Sequence, residues 1–208
     1  KFNPAIEFTE KDMISMLFYL GYLTIAGEEF ERPELKIPNQ VMKNIYSDYF
    51  IEFINKIIGT EIQGDYNEIE KEIALEGKIS KTVGLLHEYL EGLSNRDFQK
   101  FDEKYVKLIF YCIVKNLKVY LVKSEMEVNR KYPDLLIVPK NVEKGYNAIM
   151  IEFKYLKKGE KNKLEEKQKE AKKQIEGYSN FEEIKSIPKL KKYTVIAVND
   201  EIFVEEII

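Results

Sequence analysis

The 208 residues of the chain suffice to bury a full hydrophobic core, either as one large domain or as a small domain joined to a medium one. An apolar content of 44% and a charged content of 33%, with both signs interspersed, are typical of a globular protein, and no apolar run is long enough to predict a transmembrane helix. The net charge of −3 argues against a dedicated basic surface that coats DNA, but it does not exclude a nuclease whose acidic metal site lies beside a local basic patch.

The first sixty residues are predicted to form a helix, a β-hairpin and a second helix, an order similar to that of a winged helix. The predicted elements are a helix from the Thr9–Asp12 capping box to Gly21, strands at Tyr22–Ala26 and Phe30–Ile37 around Gly27–Glu29, and a helix from Asn39 to Gly59. Since the predicted hairpin tip carries acids, we expect packing or protein contact there rather than DNA reading. Because the chain starts at Lys1 without an initiator Met or a signal peptide, we expect a piece of a longer protein.

An α/β fold is predicted for the rest of the chain, with a helical connector at residues 61–95 and a larger domain at residues 96–208. The predicted elements of that domain are an apolar helix at Phe98–Leu117, a three-strand meander at Val119–Val128, Asp134–Val138 and Ala148–Tyr155, a Lys- and Glu-rich helix at Gly159–Tyr178, and strands at Tyr193–Val198 and Ile202–Ile207. The single cysteine, Cys112, lies in the apolar helix. It allows neither a disulfide framework nor a cysteine zinc site, and it favours a reducing, cytoplasmic setting.

Charged residues interrupt two of these predicted strands. Asp134 follows Pro133 and begins an otherwise apolar strand, and Glu152 and Lys154 lie near the end of the next one. Because successive side chains of a strand point to opposite faces, Glu152 and Lys154 share one face. Charged groups in such a place are costly unless they pair with each other or with a metal. The pattern therefore leaves two interpretations, a salt bridge at a strand end or a metal site.

A metal site built from these residues has the parts that phosphodiester hydrolysis needs. Asp134 and Glu152 would supply the oxygen ligands that Mg²⁺ prefers, with Mn²⁺ as a substitute. The metal lowers the pKa of a bound water and polarises the phosphoryl oxygen, and Lys154 can orient that water or offset charge in the transition state. Residues 154–173 hold nine Lys and four Glu, which form either a phosphate-contacting patch or a solvated helix face with i,i+4 pairs.

Three short motifs follow one another in the second half of the chain. They are Pro133–Asp134, then Glu152–Phe153–Lys154, then Gln174 and Tyr178 four residues apart. Together they resemble the motif set of the PD-(D/E)XK nuclease superfamily, and the last pair is similar to the Gln-x-x-x-Tyr element of its RecB-like branch. More closely, residues 98–208 resemble the nuclease-like domain at the C-terminal end of bacterial proteins that begin with an AAA-ATPase-like domain. The segments Gly21–Ile25 and Leu35–Asn39 are similar to the part that joins the two.

This resemblance implies a fold, an activity and partners. The expected fold is a restriction-endonuclease-like core, in which helices flank a central mixed sheet. The expected activity is a Mg²⁺-dependent nuclease, and the expected partners are nucleic acid, with DNA as the first expectation, and the ATPase-like domain of the full-length protein. The alternative is a catalytically inactive module that uses the same fold to bind nucleic acid or its ATPase-like partner. In that case the acids would be paired off with lysines or blocked by neighbouring side chains.

The resemblance also implies a role for each site residue. The metal ligands would be Glu103, Asp134, Glu152 and the carbonyl of Phe153, and the catalytic residues Asp134, Glu152, Lys154, Gln174 and Tyr178. Glu103 is the best placed acid on the first core helix, and its neighbour Asp102 is close enough to compete for this role. Gln174 and Tyr178 share a helix face, where they either orient Lys154 and touch the substrate backbone or pack the helix onto the sheet.

Overall fold

A computed structural model describes residues 9–30, 32–58, 64–94, 96–124 and 133–208 of the chain, which divides into two units, Lys1–Phe50 and Ile51–Ile208. The elements of the first unit are helix α1 (Glu10–Tyr19), the antiparallel strands β1 (Thr24–Glu29) and β2 (Arg32–Lys36), and the first part of helix α2 (Gln40–Ile58). The predicted capping box is confirmed, because the side chains of Thr9 and Asp12 each accept from the other's backbone N–H. The predicted cap of α2 is confirmed as well, since Asn39 Oδ1 accepts from the Met42 N–H at 3.0 Å.

The predicted turn of the N-terminal hairpin was wrong. Gly27, Glu28 and Glu29 belong to β1, and the chain turns at Phe30, which has a φ of +48°. A β-bulge shifts the register between Ile25 and Gly27, a place where a residue without a Cβ is common inside a strand. The glycine therefore marks an irregularity of the strand and not its end. The predicted stop of α2 at Gly59 lies outside the described residues.

The second unit is built around a five-stranded mixed sheet. Its elements are α3 (Tyr66–Lys71), a π-helical turn (Glu72–Glu76), α4 (Ser80–Glu91), α5 (Glu103–Val114), β3 (Tyr120–Ser124), β4 (Leu135–Pro139), β5 (Ala148–Leu156), α6 (Leu164–Ser179), α7 (Glu182–Lys185), β6 (Leu190–Val198) and β7 (Glu201–Ile207). The strand order follows the chain from β3 to β7, with β5 and β6 parallel and every other neighbouring pair antiparallel. The predicted α/β fold with its three-strand meander is confirmed. Within the described residues no helix is both long and apolar enough to cross a membrane.

Two helix starts differ from the prediction for local reasons. Helix α5 begins at Glu103 and not near Phe98, because the carboxylate of Asp102 accepts the Lys104 N–H at 2.8 Å and caps the helix. A short 3-10 turn at Asp97–Lys100 takes up part of the predicted helix. Helix α6 begins at Leu164, after a 3-10 segment at Lys158–Lys163, and not at Gly159. The rest of the strand predicted at Val119–Val128 lies outside the described residues beyond Ser124.

Helices α5 and α6 pack on opposite faces of β5, which is buried along nearly its whole length. On one face Phe110 of α5 makes an edge-to-face contact with Phe153, with ring centroids 5.1 Å apart. The cluster on the other face consists of Leu136, Met150, Ile175, Tyr178, Ile184 and Ile207. Since Glu152 and Lys154 alternate in step with Met150, they point to the α6 side of the sheet. The hydrophobic core thus fixes which way the two charged side chains face.

The turn that follows the π-helical segment packs closely against Asn147 and Lys191, and a substitution at Gly77 tests this contact. Gly77 has a φ of +69°, and a Cβ there would come within 2.9 Å of Lys191 Cγ and 3.1 Å of Asn147 Cγ. We expect Gly77→Ala to lower the free energy of unfolding by about 1–3 kcal/mol, measured by urea denaturation. Gly84 lies in α4 with no atom within 4 Å of its would-be Cβ, so the matched change Gly84→Ala should raise stability by about 0.5–1 kcal/mol. Equal effects at the two glycines would contradict this account.

Candidate active site

Asp134 lies just before β4, next to the part of β5 that carries Glu152 and Lys154. It directly precedes β4, and the register that sets Leu135 opposite Ile151 brings it beside the Glu152–Phe153 peptide. Its Oδ2 accepts the Phe153 N–H at 2.8 Å. The side chain is only 10% exposed. A backbone hydrogen bond therefore fixes this carboxylate against the strand that carries the other two motif residues.

Glu152 and Lys154 form a buried ion pair on the α6 side of β5. Their residues are 2% and 6% exposed, and Lys154 Nζ lies 2.9 Å from Glu152 Oε1. The other carboxylate oxygen, Oε2, is buried and has no hydrogen-bond partner among the described residues. Burial, and then the negative charge of Asp134, raise the pKa of Glu152 to about 7 despite the nearby lysine. An acceptor left in this condition is costly, so the site contains one buried carboxylate oxygen that a further ligand would satisfy.

Helix α5 adds an acid and a second lysine, one turn apart. Lys107 Nζ lies 2.9 Å from Glu103 Oε1 and also donates to Asp134 Oδ1, while Lys154 Nζ lies 3.9 Å from Glu103 Oε2. Partial burial disfavours the charged form of Lys107, but its hydrogen bonds to Asp134 and Glu103 outweigh this and raise its pKa well above the usual range. Asp134, Lys107, Glu103, Lys154 and Glu152 thus form a chain of alternating charges, which we call the charge chain.

The structure distinguishes between Glu103 and Asp102, the two acids that the sequence offered as the metal ligand at the first core helix. Glu103 belongs to the charge chain through both of its carboxylate oxygens. Asp102 is exposed and caps α5 through its hydrogen bond to the Lys104 N–H. The structure therefore brings Glu103, and not Asp102, together with the strand residues.

Gln174 and Tyr178 lie on the face of α6 that packs against the sheet. Tyr178 is 6% exposed, and burial, followed by the charges of Glu152 and Asp134, raises its pKa to about 12. This places the phenol close to the carboxylates of the charge chain. The amide oxygen of Gln174 is buried and, within the described residues, has no hydrogen-bond partner. Both predicted roles stay open, because Tyr178 also belongs to the hydrophobic cluster under α6.

The charge chain fits a metal through two carboxylates. Among the described residues, no group of three or more His, Cys, Asp or Glu side chains could hold a metal ion as they are placed. Mg²⁺ is usually bound by one or two protein carboxylates, with waters and substrate phosphates completing its shell. Asp134 and Glu152, whose buried Oε2 has no partner among the described residues, fit that requirement. Glu103 could join them only if its lysine partners moved, and a contribution from the Phe153 carbonyl stays a prediction.

Lys107 is the member of the charge chain that the sequence analysis did not single out. One of its two contacts could have been predicted from the sequence, since Glu103 and Lys107 are at i and i+4 on one helix. The contact with Asp134 joins residues 27 positions apart, and it depends on how α5 docks on the sheet. Only the tertiary structure reveals that this lysine enters the site.

A mixed sheet between helices, with an Asp–Glu–Lys cluster where the start of β4 lies against β5, defines a nuclease-like α/β domain. In agreement with this, the family model of the PD-(D/E)XK nuclease superfamily matches residues 101–207, from the residue before the cap of α5 to the end of β7. The chain belongs to the PD-(D/E)XK nuclease superfamily. No curated protein matches the chain. Membership of the superfamily indicates a nuclease-type function and contact with nucleic acid.

Proposed function

We propose that the chain is a Mg²⁺-dependent nuclease domain that hydrolyses phosphodiester bonds with a metal-activated water. The observation that carries the proposal is the convergence of Asp134, Glu152 and Lys154, with one buried oxygen of Glu152 that has no hydrogen-bond partner among the described residues. A buried acceptor with no partner is costly to maintain, and a divalent cation is a ligand that would satisfy it.

Each residue of the site has a distinct part in this proposal. Asp134 and Glu152 hold the metal, which when bound supplies a nucleophilic water near neutral pH and polarises the phosphoryl oxygen. The Phe153 N–H orients Asp134 by its hydrogen bond. Lys154, held 2.9 Å from Glu152, presents an ammonium that orients the attacking water or offsets charge on the phosphoryl oxygens. Gln174 and Tyr178 position Lys154 from the α6 side.

Lysines on α6 and on the segment before it would contact the nucleic-acid backbone. Exposed lysines of this stretch are Lys157, Lys158, Lys161, Lys163, Lys169, Lys172 and Lys173. Some of them form surface pairs, as Lys161 does with Glu201 and Lys163 with Glu160. Such exposed pairs are weak, so a phosphate can replace the carboxylate at little cost. Contacts of this kind read no sequence, which favours a nuclease with little base preference.

The same proposal includes the branch of the superfamily, the partner domain and the domain boundaries of the chain. The spacing of Gln174 and Tyr178 supports a place in the RecB-like branch. The likeness of Gly21–Ile25 and Leu35–Asn39 to a joining segment supports an AAA-ATPase-like partner domain in a cytoplasmic bacterial protein. We divide the chain accordingly into an N-terminal region at residues 1–60, a helical connector at residues 61–95 and the nuclease domain at residues 96–208.

One observation favours a second function, a non-catalytic module that binds nucleic acid or an ATPase-like partner. Each carboxylate of the charge chain is already paired with a lysine, namely Asp134 with Lys107, Glu152 with Lys154, and Glu103 with both. A site that had lost its metal could keep such pairs for stability alone. The two functions therefore differ in whether the carboxylates still bind a metal.

Cleavage of labelled single- and double-stranded DNA and RNA, with Mg²⁺ or Mn²⁺ and with EDTA as control, tests the proposal. We expect metal-dependent cutting that falls by at least about 10²-fold in Glu152→Gln. Glutamine has nearly the shape of glutamate but lacks the negative charge that would hold the metal. Glu165→Gln removes the same charge from an exposed position at the start of α6 and should cut like the wild type. A folded wild-type protein that leaves all four substrates intact would favour the non-catalytic module.

A further inference from the structure

The position of Lys107 in the charge chain suggests how metal binding is controlled. We infer that the Lys107 ammonium is a built-in counter-ion that holds the carboxylates of Asp134 and Glu103, and that a divalent metal has to displace it from them. The inference rests on the proposed metal-dependent function, and it adds to that function a positioning residue which sets the metal affinity of the site.

The geometry of Lys107 is that of a bridging cation. Its Nζ contacts Asp134 Oδ1 at the start of β4 and lies 2.9 Å from Glu103 Oε1 on α5. The side chains of Glu103, Lys107 and Asp134 are 33%, 25% and 10% exposed, so water screens the two negative charges poorly. Without a cation between them the carboxylates would repel each other. A divalent metal would bind the same oxygens for the same reason.

The remaining oxygens show why the lysine and the metal exclude each other. Asp134 Oδ2 is occupied by the Phe153 N–H, and both oxygens of Glu103 face lysines. A metal held by Asp134 and Glu152 would have to use Asp134 Oδ1, which Lys107 contacts. It would therefore lie beside the Lys107 ammonium, at a distance where like charges repel strongly in a partly buried site.

Lys107, and not Lys154, is the lysine that can leave. The side chain of Lys154 is 8% exposed, and its pairing with Glu152 is buried on both sides. The side chain of Lys107 is 25% exposed, so its flexible stem can carry the ammonium toward solvent while its methylene groups stay packed. A displaced Lys107 would remain at the edge of the site, where it could pair with a substrate phosphate.

Equilibrium binding of Mn²⁺ in the absence of nucleic acid tests this inference. We would measure it on the full chain by isothermal titration calorimetry and by the shift in melting temperature, for the wild type, Lys107→Met and Lys104→Met. We expect Lys107→Met to bind Mn²⁺ at least about tenfold more tightly than the wild type. In EDTA it should melt at a lower temperature, because two facing carboxylates have lost their counter-ion, and Mn²⁺ should raise its melting temperature more.

Lys104 provides the matched control. It is exposed on the same helix, so Lys104→Met removes an equal charge without touching the charge chain and should bind Mn²⁺ like the wild type. Lys107→Gln serves as the second variant if Lys107→Met fails to fold, since the amide keeps a donor but not the charge. Unchanged or weaker Mn²⁺ affinity in the Lys107 variants, or no Mn²⁺ binding by any protein, would overturn the inference.

The cleavage assay separates a failure of this inference from a failure of the proposed function. Metal-dependent cutting by the wild type, together with unchanged Mn²⁺ affinity in Lys107→Met, would leave the nuclease in place and remove only the role of Lys107. Tighter Mn²⁺ binding in Lys107→Met without cleavage of any substrate would leave the counter-ion in place and remove the nuclease.

Discussion

Substitution of Lys154 by methionine is expected to lower the free energy of unfolding by about 3–5 kcal/mol and to reduce metal-dependent cleavage by about 10²- to 10³-fold. The stability loss follows from burial, because Glu152 is 2% exposed and would lose the ammonium that pairs with its Oε1. The activity loss is expected because the proposed mechanism places the Lys154 ammonium next to the reacting phosphate. Urea denaturation in EDTA measures the first effect, and single-turnover cleavage by the folded fraction measures the second.

The stability loss should depend on pH in a definite direction. Burial, followed by the charge of Asp134, raises the pKa of Glu152 to about 7 already in the presence of Lys154. An acid whose pKa is raised on folding contributes stability that is present at low pH and is lost as the pH rises through the folded pKa. Protonation therefore relieves the unpaired carboxyl of Lys154→Met in acid. We expect the loss to be larger at about pH 8 than at about pH 5.5.

The double variant Glu152→Leu/Lys154→Met is the control for the charge pair. Replacing both members of a buried pair by apolar groups of similar volume is often neutral or stabilising, so this variant should recover most of the stability. It should remain inactive, because both a metal ligand and the ammonium are missing. A Lys154→Met protein that loses stability but cuts at the wild-type rate would reduce Lys154 to a structural role. One that is fully stable would contradict the account of the buried pair.

The strands that carry the site could be predicted because their residues obey a simple period. The strand predicted at Ala148–Tyr155 is found at Ala148–Leu156, a short and almost continuously buried apolar run of the kind that forms a strand covered on both faces. The alternation of a strand then places Glu152 and Lys154 side by side, as the 2.9 Å contact shows. These features depend on neighbours along the chain, and a sequence reveals such neighbours directly.

Features that depend on the exact position of a cap or a bulge, or on distant contacts, could not be predicted in the same way. Helix α5 was expected near Phe98 because the apolar pattern continues there, but Asp102 takes the cap position and shortens the helix. The turn of the N-terminal hairpin was placed at a glycine that serves a bulge instead. Within the site, the contact of Lys107 with Asp134 needs the docked helix and the finished β4–β5 register. The sequence therefore predicted that Glu152 and Lys154 lie side by side, but it did not reveal the contact of Lys107 with Asp134.

The charge chain has one feature expected of each of the two functions that the sequence left open, the nuclease and the module without metal. Its acids are paired with lysines, as expected of a module without metal, yet one buried oxygen of Glu152 has no partner among the described residues. A site retained only for stability would gain from satisfying that oxygen or from replacing Glu152 by an apolar residue. The cost is understandable if the oxygen is kept for a ligand. We therefore favour the catalytic function.

The second large effect is expected at Phe110, one turn after Lys107 on α5. Phe110 and Phe153 are both fully buried, with ring centroids 5.1 Å apart. Truncating an aromatic ring in a core of this kind removes its burial and leaves a cavity, so we expect Phe110→Ala to lower the free energy of unfolding by about 3–5 kcal/mol. Urea denaturation measures the loss, and far-UV circular dichroism checks that the variant is folded without denaturant.

The same substitution should also affect Asp134, a proposed metal ligand, because Phe153 links the core to the site. Its ring packs on Phe110 while its N–H holds Asp134 at 2.8 Å, so a cavity beneath β5 loosens the carboxylate as well as the core. We expect Phe110→Ala to weaken Mn²⁺ binding, whereas Tyr105→Ala, at a side chain 40% exposed on the same helix, should leave it unchanged. If the two variants lost equal stability and bound Mn²⁺ equally, the packing of α5 against β5 would not be what positions Asp134.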